Sequence, residues 1–217
     1  MSEDWSLRAD AVSVSYPGRV ILRSVSLQLQ SGRSTAIVGP SGSGKTTLLA
    51  VLGGLRPPNS GSVQLRDPLG DLKPVGAHAS WILQTTNALG RRTVLENILL
   101  GSLLDQRSDR YRTKRAMQAI KDVGLASVAE APARTLSGGE TQRMAIARAL
   151  VAERPFVLAD EPTGQLDRVT TEHVLDRLFA NPVLGLVVAT HDPQVWERCD
   201  RIIRIDELVC ADIPLRG

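Results

Sequence analysis

Gly39-Pro40-Ser41-Gly42-Ser43-Gly44-Lys45-Thr46 is the stretch that decides the fold of this chain. It matches the pattern G-x-x-x-x-G-K-[ST], which is a P-loop when it connects a strand to a helix. The apolar run Ser34 to Val38 precedes it, and Lys45 to Leu52 follows with helical spacing. The sequence therefore predicts strand, loop and helix in that order, and with them an α/β fold around a phosphate site.

Each residue type in this loop suits a nucleotide. The glycines allow backbone N–H groups to turn inward around phosphates, and the helix N-terminus adds partial positive charge to the full charge of Lys45. The hydroxyl of Thr46 is a candidate Mg²⁺ ligand, and Thr47 is a candidate contact to the α-phosphate. A glycine-rich turn that caps a helix by chance is the alternative, and the flanking strand and helix disfavour it.

A pair of carboxylates follows a second apolar run, Val157-Leu158-Ala159-Asp160-Glu161. Side chains alternate between the faces of a strand, so the two acids can take different roles. We expect Asp160 to hold the Mg²⁺ shell and Glu161 to polarise a water that attacks the γ-phosphate. Solvated acids at a strand end are the alternative.

A second helix start also suits an anion. Leu136-Ser137-Gly138-Gly139-Glu140 precedes a helical pattern that continues through Leu150. Because the P-loop already surrounds one phosphate tail, we expect this second terminus to serve a nucleotide that is bound by another copy. As an isolated pattern it is equally typical of an ordinary helix cap.

Length and composition exclude several classes of protein. The 217 residues fit one domain, and 26 basic against 23 acidic side chains give a net charge of +3, too small to predict a nucleic-acid partner. Because the opening Met1-Ser2-Glu3-Asp4-Trp5 is acidic and no apolar region follows it, we expect no secretory signal, and no apolar stretch is near the ~18 residues that cross a bilayer. Cys199 and Cys210 lack zinc-ligand spacing and are interpreted as buried or free thiols in a reducing, cytoplasmic setting.

Strand patterns occur on both sides of a helical block. Alternating apolar residues predict two strands within residues 10–29, joined by a turn at Pro17-Gly18. Residues 70–76 are predicted to be a loop. Short apolar runs predict further strands at Ser62–Arg66, Ala79–Leu83, Phe156–Ala159, Gly185–Ala189 and Arg201–Ile205.

Helical patterns dominate the middle of the chain, where no strand is predicted. Thr93 and Glu96 form a Thr-x-x-Glu capping box, which fixes one helix start. Helices are predicted at Val94–Leu104, Arg110–Lys121 and Glu140–Val151, and near residues 170–180 and 193–199. Strands that alternate with helices indicate a parallel sheet with helices on its faces.

In this order, these segments resemble the ATP-binding-cassette (ABC) ATPases over nearly the whole chain. The resemblance implies a P-loop NTPase fold in a single ABC ATPase domain, residues 1–217. A central, mainly parallel sheet with an N-terminal antiparallel β part would occupy about 1–83 and 154–217. An inserted α-helical subdomain would occupy about 84–153.

The resemblance also implies roles for single residues. Tyr16 matches the aromatic residue that stacks on adenine, and Gln84 matches the glutamine that senses Mg²⁺ and couples to a transmembrane partner. His191 matches the histidine at the γ-phosphate, and Asp167 lies in the loop that crosses the dimer interface. Ser137–Glu140 matches the signature that completes the ATP site of the partner copy. An ordinary strand aromatic, a surface glutamine and a capping histidine are the alternatives.

Residues 158–167 resemble, more narrowly, the lipoprotein-releasing, macrolide-exporting and cell-division branch of the family. This implies an ATP-hydrolysing subunit that dimerises head-to-tail on two Mg²⁺-ATP and drives a permease. It would lie at the inner face of the cell membrane and carry no C-terminal regulatory domain. A soluble ABC clamp on ribosomes or DNA and an ATP-sensing regulatory scaffold are the alternatives.

Two segments depart from the pattern or add to it. Arg66 to Ala79 lacks the arginine-rich helix and paired phenylalanines that the branch would place before Gln84, so the identity of the permease stays open. The basic run Arg107 to Arg115 is interpreted as a solvated helix face, with contact to acidic lipid or a partner as the alternative.

Overall fold

A computed structural model describes residues 4–84 and 88–210, except for the side chains of residues 168, 169, 209 and 210. The described strands are β1 (Ser6–Tyr16), β2 (Arg19–Gln30), β3 (Ser34–Val38), β4 (Ser60–Arg66), β5 (Leu72–Lys73), β6 (Ala79–Ile82), β7 (Phe156–Asp160), β8 (Gly185–Thr190) and β9 (Arg201–Arg204). The described helices are α1 (Lys45–Leu52), α2 (Val75–His78), α3 (Val94–Leu99), α4 (Asp109–Asp122), α5 (Gly138–Val151), α6 (Arg168–Phe179), α7 (Pro193–Trp196) and α8 (Ile205–Cys210).

The first sheet is antiparallel, in the order β2-β1-β4-β5. Leu7 of β1 pairs with Leu29 of β2 on one side and with Leu65 of β4 on the other, and all three are buried. This pairing follows from the alternation of apolar and polar residues, which gives each strand one face toward the core.

The second sheet is parallel, in the order β6-β7-β8-β3-β9. Every residue of β3, β7 and β8 is buried, which explains why these strands are mostly apolar rather than alternating between apolar and polar residues. The P-loop follows β3, the two carboxylates end β7, and His191 follows β8. Parallel strands bring these three segments to one edge of the sheet, where ligands of open α/β sheets bind.

Three apolar clusters stabilise this arrangement. The first joins the two sheets through α1 and includes Leu48 and Phe156. The second covers the opposite face of the parallel sheet with α5 and α6 and includes Ile146. The third packs α3, α4 and α5 against one another and includes Ile98 and Ile120.

The structure confirms the predicted α/β class and both kinds of sheet. The capping box at Thr93 and Glu96 is also present. Within residues 4–84 and 88–210, no helix combines the length and apolar character that a bilayer crossing requires.

The loop prediction for residues 70–76 was wrong. β5 pairs Leu72 with Arg66, and Nζ of Lys73 lies 3.1 Å from a carboxylate oxygen of Asp67. The short helix α2 follows, and its His78 ring packs against Trp5 at a tilt of 36°, with 4.9 Å between the ring centroids. These elements are too short to show periodicity and depend on contacts with other parts of the chain.

Two helix and strand ends also differ from the predictions. The helix at Val94 ends at Leu99 and continues as a 3₁₀ turn, Leu100–Ser102, rather than reaching Leu104. Ile205 begins α8 instead of ending β9, because its buried side chain packs against the P-loop. A Cβ on Gly39 would lie 2.6 Å from Cγ2 of Ile205.

The basic run is only partly a solvated face. Arg107 and Arg115 both form ion pairs with Glu153, which lies just beyond α5, and Tyr111 Oη donates a hydrogen bond to the same carboxylate at 3.4 Å. Side chains that were predicted to be solvated therefore make tertiary contacts in and beside α4.

Candidate nucleotide-binding site

A cleft of about 530 Å³ lies at the carboxyl edge of the parallel sheet. Its walls come from the P-loop, from the ends of β6, β7 and β8, and from the start of β2. The lining residues are Arg19, Ile21, Ser41, Gly42, Gly44, Lys45, Thr46, Thr47, Gln84, Asp160, Glu161 and His191.

The ammonium group of Lys45 is positioned within the P-loop, where it can bind an anion. Nζ of Lys45 donates hydrogen bonds to the carbonyl oxygens of Gly39 and Pro40, at 2.8 and 3.0 Å. Gly44 has φ +102°, and a Cβ there would lie 2.9 Å from Cγ2 of Ile21, so both conformation and space require glycine. The buried ammonium can exchange its carbonyl partners for phosphate oxygens without moving far.

Thr46 and Asp160 meet across the cleft. Oγ1 of Thr46 donates a hydrogen bond to Oδ2 of Asp160 at 2.8 Å, and the carboxyl is 4% exposed. Burial raises the pKa of Asp160 above its ordinary value; the Thr46 hydrogen bond and Lys45 oppose this effect, and the charge of Glu161 adds to it. An ionised carboxylate here would gain from a cation beside it, and hydroxyl and carboxylate oxygens are hard ligands.

Glu161 is fixed from the neighbouring strand β8. Its Oε2 accepts a hydrogen bond from Oγ1 of Thr190 at 3.0 Å, and its Oε1 lies 2.7 Å from Nδ1 of His191. The side chain of Glu161 is 14% exposed, whereas that of His191 is 78% exposed. The carboxylate therefore has a fixed orientation at the mouth of the cleft, where it can act on a water molecule.

The Ser137–Glu140 segment lies away from this cleft. Ser137 caps α5: its Oγ accepts a hydrogen bond from the Glu140 N–H, and its own N–H donates to Oε2 of Glu140 at 2.8 Å. Hydrogen bonds from Ser137 hold the pKa of Glu140 below its ordinary value. The segment packs against the loop before α6, since a Cβ on Gly138 would lie 2.9 Å from Oε1 of Gln165.

Asp167 stands at the end of the loop that packs against the Ser137–Glu140 segment. It caps α6 by accepting hydrogen bonds from N–H and Oγ1 of Thr170, at 3.0 and 2.7 Å. The structure thus brings the P-loop, Gln84, Asp160, Glu161 and His191 together in one cleft. It leaves Ser137–Glu140 and Asp167 outside that cleft.

Tyr16 stands at the end of β1 and is 48% exposed, but it does not line the cleft. Arg56 covers its ring, with the guanidinium carbon 4.1 Å from the ring centroid. Arg19 was not predicted as a site residue; it pairs with Tyr16 across the hairpin and donates a hydrogen bond to the Gly42 carbonyl at 3.3 Å. The Pro17-Gly18 turn could have indicated this pairing. Thr190 was also missed, because it ends an apolar strand.

Cys199 is a free, partly buried thiol whose pKa burial raises to about 12. The side chain of Cys210 lies outside the described residues.

Comparisons with known proteins agree with this geometry. A family model described as "ABC transporter" matches residues 22–164. The chain is 43% identical over 220 residues to a lipoprotein-releasing system ATP-binding protein of Rhodopirellula baltica, with 95% of each chain covered. It is 38% identical over 210 residues to a macrolide export ATP-binding/permease protein of the same organism. That match covers 91% of this chain but only 31% of the relative. The chain therefore spans about a third of the second relative.

The fold is also similar to a solved structure, a dimeric post-hydrolysis state of an ATP-binding cassette bound to ADP and Pi. The TM-score is 0.80 at 32% identity, and the match covers 97% of this chain and 99% of the other.

Proposed function

This chain belongs to the ABC transporter family as an ATP-binding subunit that hydrolyses ATP, and from that premise we propose roles for its residues. The observation that carries the proposal is the convergence of Lys45, the Thr46–Asp160 pair and the Glu161–His191 pair in one cleft. These are a phosphate-binding cation, a set of metal-ligand oxygens and an oriented base, which together supply what phosphoryl transfer to water requires.

The phosphates of ATP lie in the P-loop, Gly39–Thr46, with Thr47 at the α-phosphate and Tyr16 stacked on adenine. Lys45 and His191 hold the γ-phosphate. Glu161 accepts the proton of the attacking water, and Thr190 keeps its carboxylate in place during the transfer.

Mg²⁺ fits the oxygen donors of this cleft. The Thr46 hydroxyl and the Asp160 carboxylate are 2.8 Å apart, and the Gln84 side chain lines the same space. These three residues would hold the ion. When bound, it would neutralise charge on the β- and γ-phosphates.

A second copy completes the site. Ser137–Glu140 and Asp167 lie outside the cleft of their own chain, and an N-terminal helix end with two glycines suits a phosphate. Two copies arranged head-to-tail would place each Ser137–Glu140 segment over the ATP of the other. The dimeric state of the similar cassette supports the pairing of two copies.

A membrane permease is the proposed partner, and it would bring the chain to the inner face of the cell membrane. A groove of about 390 Å³ is bordered by β6, α5 and the turn after α3, and its lining combines apolar residues, among them Leu55, Trp81 and Leu100, with polar residues that include two arginines. β6 connects this groove to Gln84 in the nucleotide cleft. Residues 84–153, which contain the third apolar cluster, would move as a helical subdomain on the far side of the groove.

Phosphate release from Mg²⁺-ATP tests the catalytic proposal. The wild-type chain should turn over, and Lys45→Ala should lose nucleotide affinity together with turnover. Full ATP affinity in Lys45→Ala would refute the assigned site. Tight ATP binding by the wild-type chain without turnover, alone or with membranes, would instead favour the regulatory scaffold.

Fractionation of host cells tests the proposed partner. Leu55 is 61% exposed beside the groove, so Leu55→Asp should leave ATPase activity of the isolated chain unchanged and reduce the fraction that sediments with membranes. Equal sedimentation of Leu55→Asp and wild-type protein would exclude this groove as the docking site.

A further inference from the structure

We propose that Arg56 is a positioning residue for the base of the nucleotide: it covers one face of Tyr16 and leaves the other face open to adenine. This inference rests on the proposed stacking role of Tyr16 and adds to it a residue outside the motifs of the sequence.

Two contacts connect Arg56 to the end of β1. Its guanidinium carbon lies 4.1 Å from the centroid of the Tyr16 ring, and its Nη2 lies 3.3 Å from the carbonyl oxygen of Ser15, to which it donates a hydrogen bond. The first contact restricts the ring and the second restricts the backbone before it. Because Tyr16 is 48% exposed, these two contacts help to keep its ring in one rotamer.

Arg56 approaches β1 from the side of β4. The segment 56–59 leads into β4, and Asn59 is hydrogen bonded to β1 twice: its Oδ1 accepts from the Ser15 N–H, and its N–H donates to the Ser13 carbonyl, both at 2.8 Å. The Arg56 guanidinium therefore belongs to a segment that is fixed on this side of the strand.

The P-loop lies on the other side of β1, next to β2. Arg19 of β2 donates a hydrogen bond to the Gly42 carbonyl, and Ile21 packs against Gly44. Arg19 and Ile21 line the nucleotide cleft, whereas Arg56 does not. Arg56 therefore reaches the Tyr16 ring from the β4 side of β1, whereas the P-loop lies on the β2 side, and in this proposal the base takes the ring face opposite Arg56.

Helix α1 connects this support to the phosphate site. The helix begins at Lys45, spans about 12 Å, and its end is followed by Arg56, whose N–H donates a hydrogen bond to the Ala50 carbonyl at 3.2 Å. Lys45, the cation proposed for the phosphates, and Arg56, the cation beside the Tyr16 ring, are thus connected through the two ends of helix α1.

A double-mutant cycle tests the proposal by calorimetric titration with ATP and with tripolyphosphate, which lacks a base. An exposed cation–π contact corresponds to about a two- to fivefold change in an equilibrium constant. Arg56→Ala should weaken ATP binding by that factor and leave tripolyphosphate binding unchanged. In a Tyr16→Ala background, Arg56→Ala should have no further effect.

Three results would overturn the inference. Tighter ATP binding by Arg56→Ala would mean that the guanidinium occupies the stacking face. Equal weakening of ATP and tripolyphosphate would mean a general charge effect. Additive losses in the double variant would mean that Arg56 does not act through Tyr16.

The same cycle separates this inference from the proposed function. If Tyr16→Ala leaves ATP affinity unchanged, the base site at Tyr16 is wrong and the role of Arg56 is wrong with it. If Tyr16→Ala weakens ATP binding and Arg56→Ala does not, only the present inference is wrong.

Two further variants control for charge and for stability. Arg56→Lys keeps the charge without the planar group, so its ATP affinity should lie between those of wild type and Arg56→Ala. Arg66→Ala removes another arginine that donates to a backbone carbonyl, that of Gly70 at 2.8 Å, and should alter neither titration. A decrease with Arg66→Ala equal to that of Arg56→Ala would count against the proposal.

Discussion

Glu161 has φ +45°, in the left-handed region that non-glycine residues seldom adopt. Its N–H donates a hydrogen bond to the Ala189 carbonyl at 2.9 Å, while its carboxylate is held by Thr190 and His191. Backbone strain that is compensated by this many contacts is typical of a functional position. The strain directs the carboxylate into the cleft at the end of β7.

We predict that Glu161→Gln slows ATP hydrolysis by about 10²-fold or more while ATP affinity is retained. The amide preserves the size of the side chain and can still accept the Thr190 hydrogen bond, but it cannot take a proton from water. Phosphate release and equilibrium binding, measured on the same preparation, give the two quantities. Hydrolysis at the wild-type rate would show that another group is the base.

Asp160 and Asp200 are predicted to affect stability in opposite directions. Burial raises the pKa of Asp160, so the folded chain binds this proton more tightly than the unfolded chain, and ionisation opposes folding at neutral pH. Hydrogen bonds from N–H and Oγ of Ser34, both at 2.8 Å, lower the pKa of Asp200, so its ionisation favours folding. Without nucleotide or Mg²⁺, Asp160→Asn should raise the Tm at neutral pH, and Asp200→Asn should lower it.

The gain for Asp160→Asn should diminish as the pH falls through the raised native pKa of Asp160 toward the ordinary aspartate value of 3.8, whereas the loss for Asp200→Asn should persist to about pH 3.8 and diminish below it, as the pH falls through the lowered native pKa of Asp200. Thermal unfolding of the three proteins across this range is the measurement. A gain for Asp160→Asn that is independent of pH would show that charge burial is not its cause. Asp160→Asn should also lose Mg²⁺-dependent hydrolysis, because Asp160 is a proposed ligand of the ion.

At the scale of elements, two helices begin with the same capping box. Thr93 and Glu96 start α3, and Ser137 and Glu140 start α5, each with reciprocal hydrogen bonds between side chain and backbone. We predict that Thr93→Ala and Ser137→Ala each lower the free energy of unfolding by about 1 kcal/mol. Urea denaturation measures this loss.

The two variants should differ in function. Only Ser137 belongs to the proposed composite ATP site, so only Ser137→Ala should weaken ATP-dependent association of two copies in a Glu161→Gln background. Thr93→Ala serves as the control for helix stability. Equal weakening by both variants would mean that the N-terminus of α5 acts through stability alone.

The length of an element decides how well the sequence predicts it. β3, β7 and β8 are mostly apolar and are buried on both faces, and their predicted positions agree with the structure to within about one residue. β5 has two residues and α2 has four, fewer than a pattern of either period needs, and both were missed. Their formation depends on long-range contacts such as that of Trp5 with His78.

At the scale of the whole molecule, the topology of the parallel sheet predicts the position of those site residues that lie at the ends of its strands. A parallel sheet brings the ends of β3, β7 and β8 to one edge, so the P-loop, Asp160 and His191 could be placed together from the sequence. Arg19 could be placed beside Tyr16 only through the Pro17-Gly18 turn, and Arg56 could not be placed at all, because the return of the chain from α1 brings it to Tyr16. The proposed assembly of two copies rests on the position of Ser137–Glu140, which lies outside its own cleft.

The last prediction concerns this assembly. Light scattering of the Glu161→Gln protein should give a mass near 23.4 kDa without nucleotide and about twice that with Mg²⁺-ATP. The γ-phosphate would connect Lys45 of one copy to Ser137 of the other, so ADP should leave the protein monomeric. Adding Lys45→Ala to Glu161→Gln removes the phosphate cation and should abolish the ATP effect. A monomer under every condition would contradict closure by ATP alone and would require the permease for assembly. A dimer without nucleotide would contradict the role of the γ-phosphate as the connection between the copies.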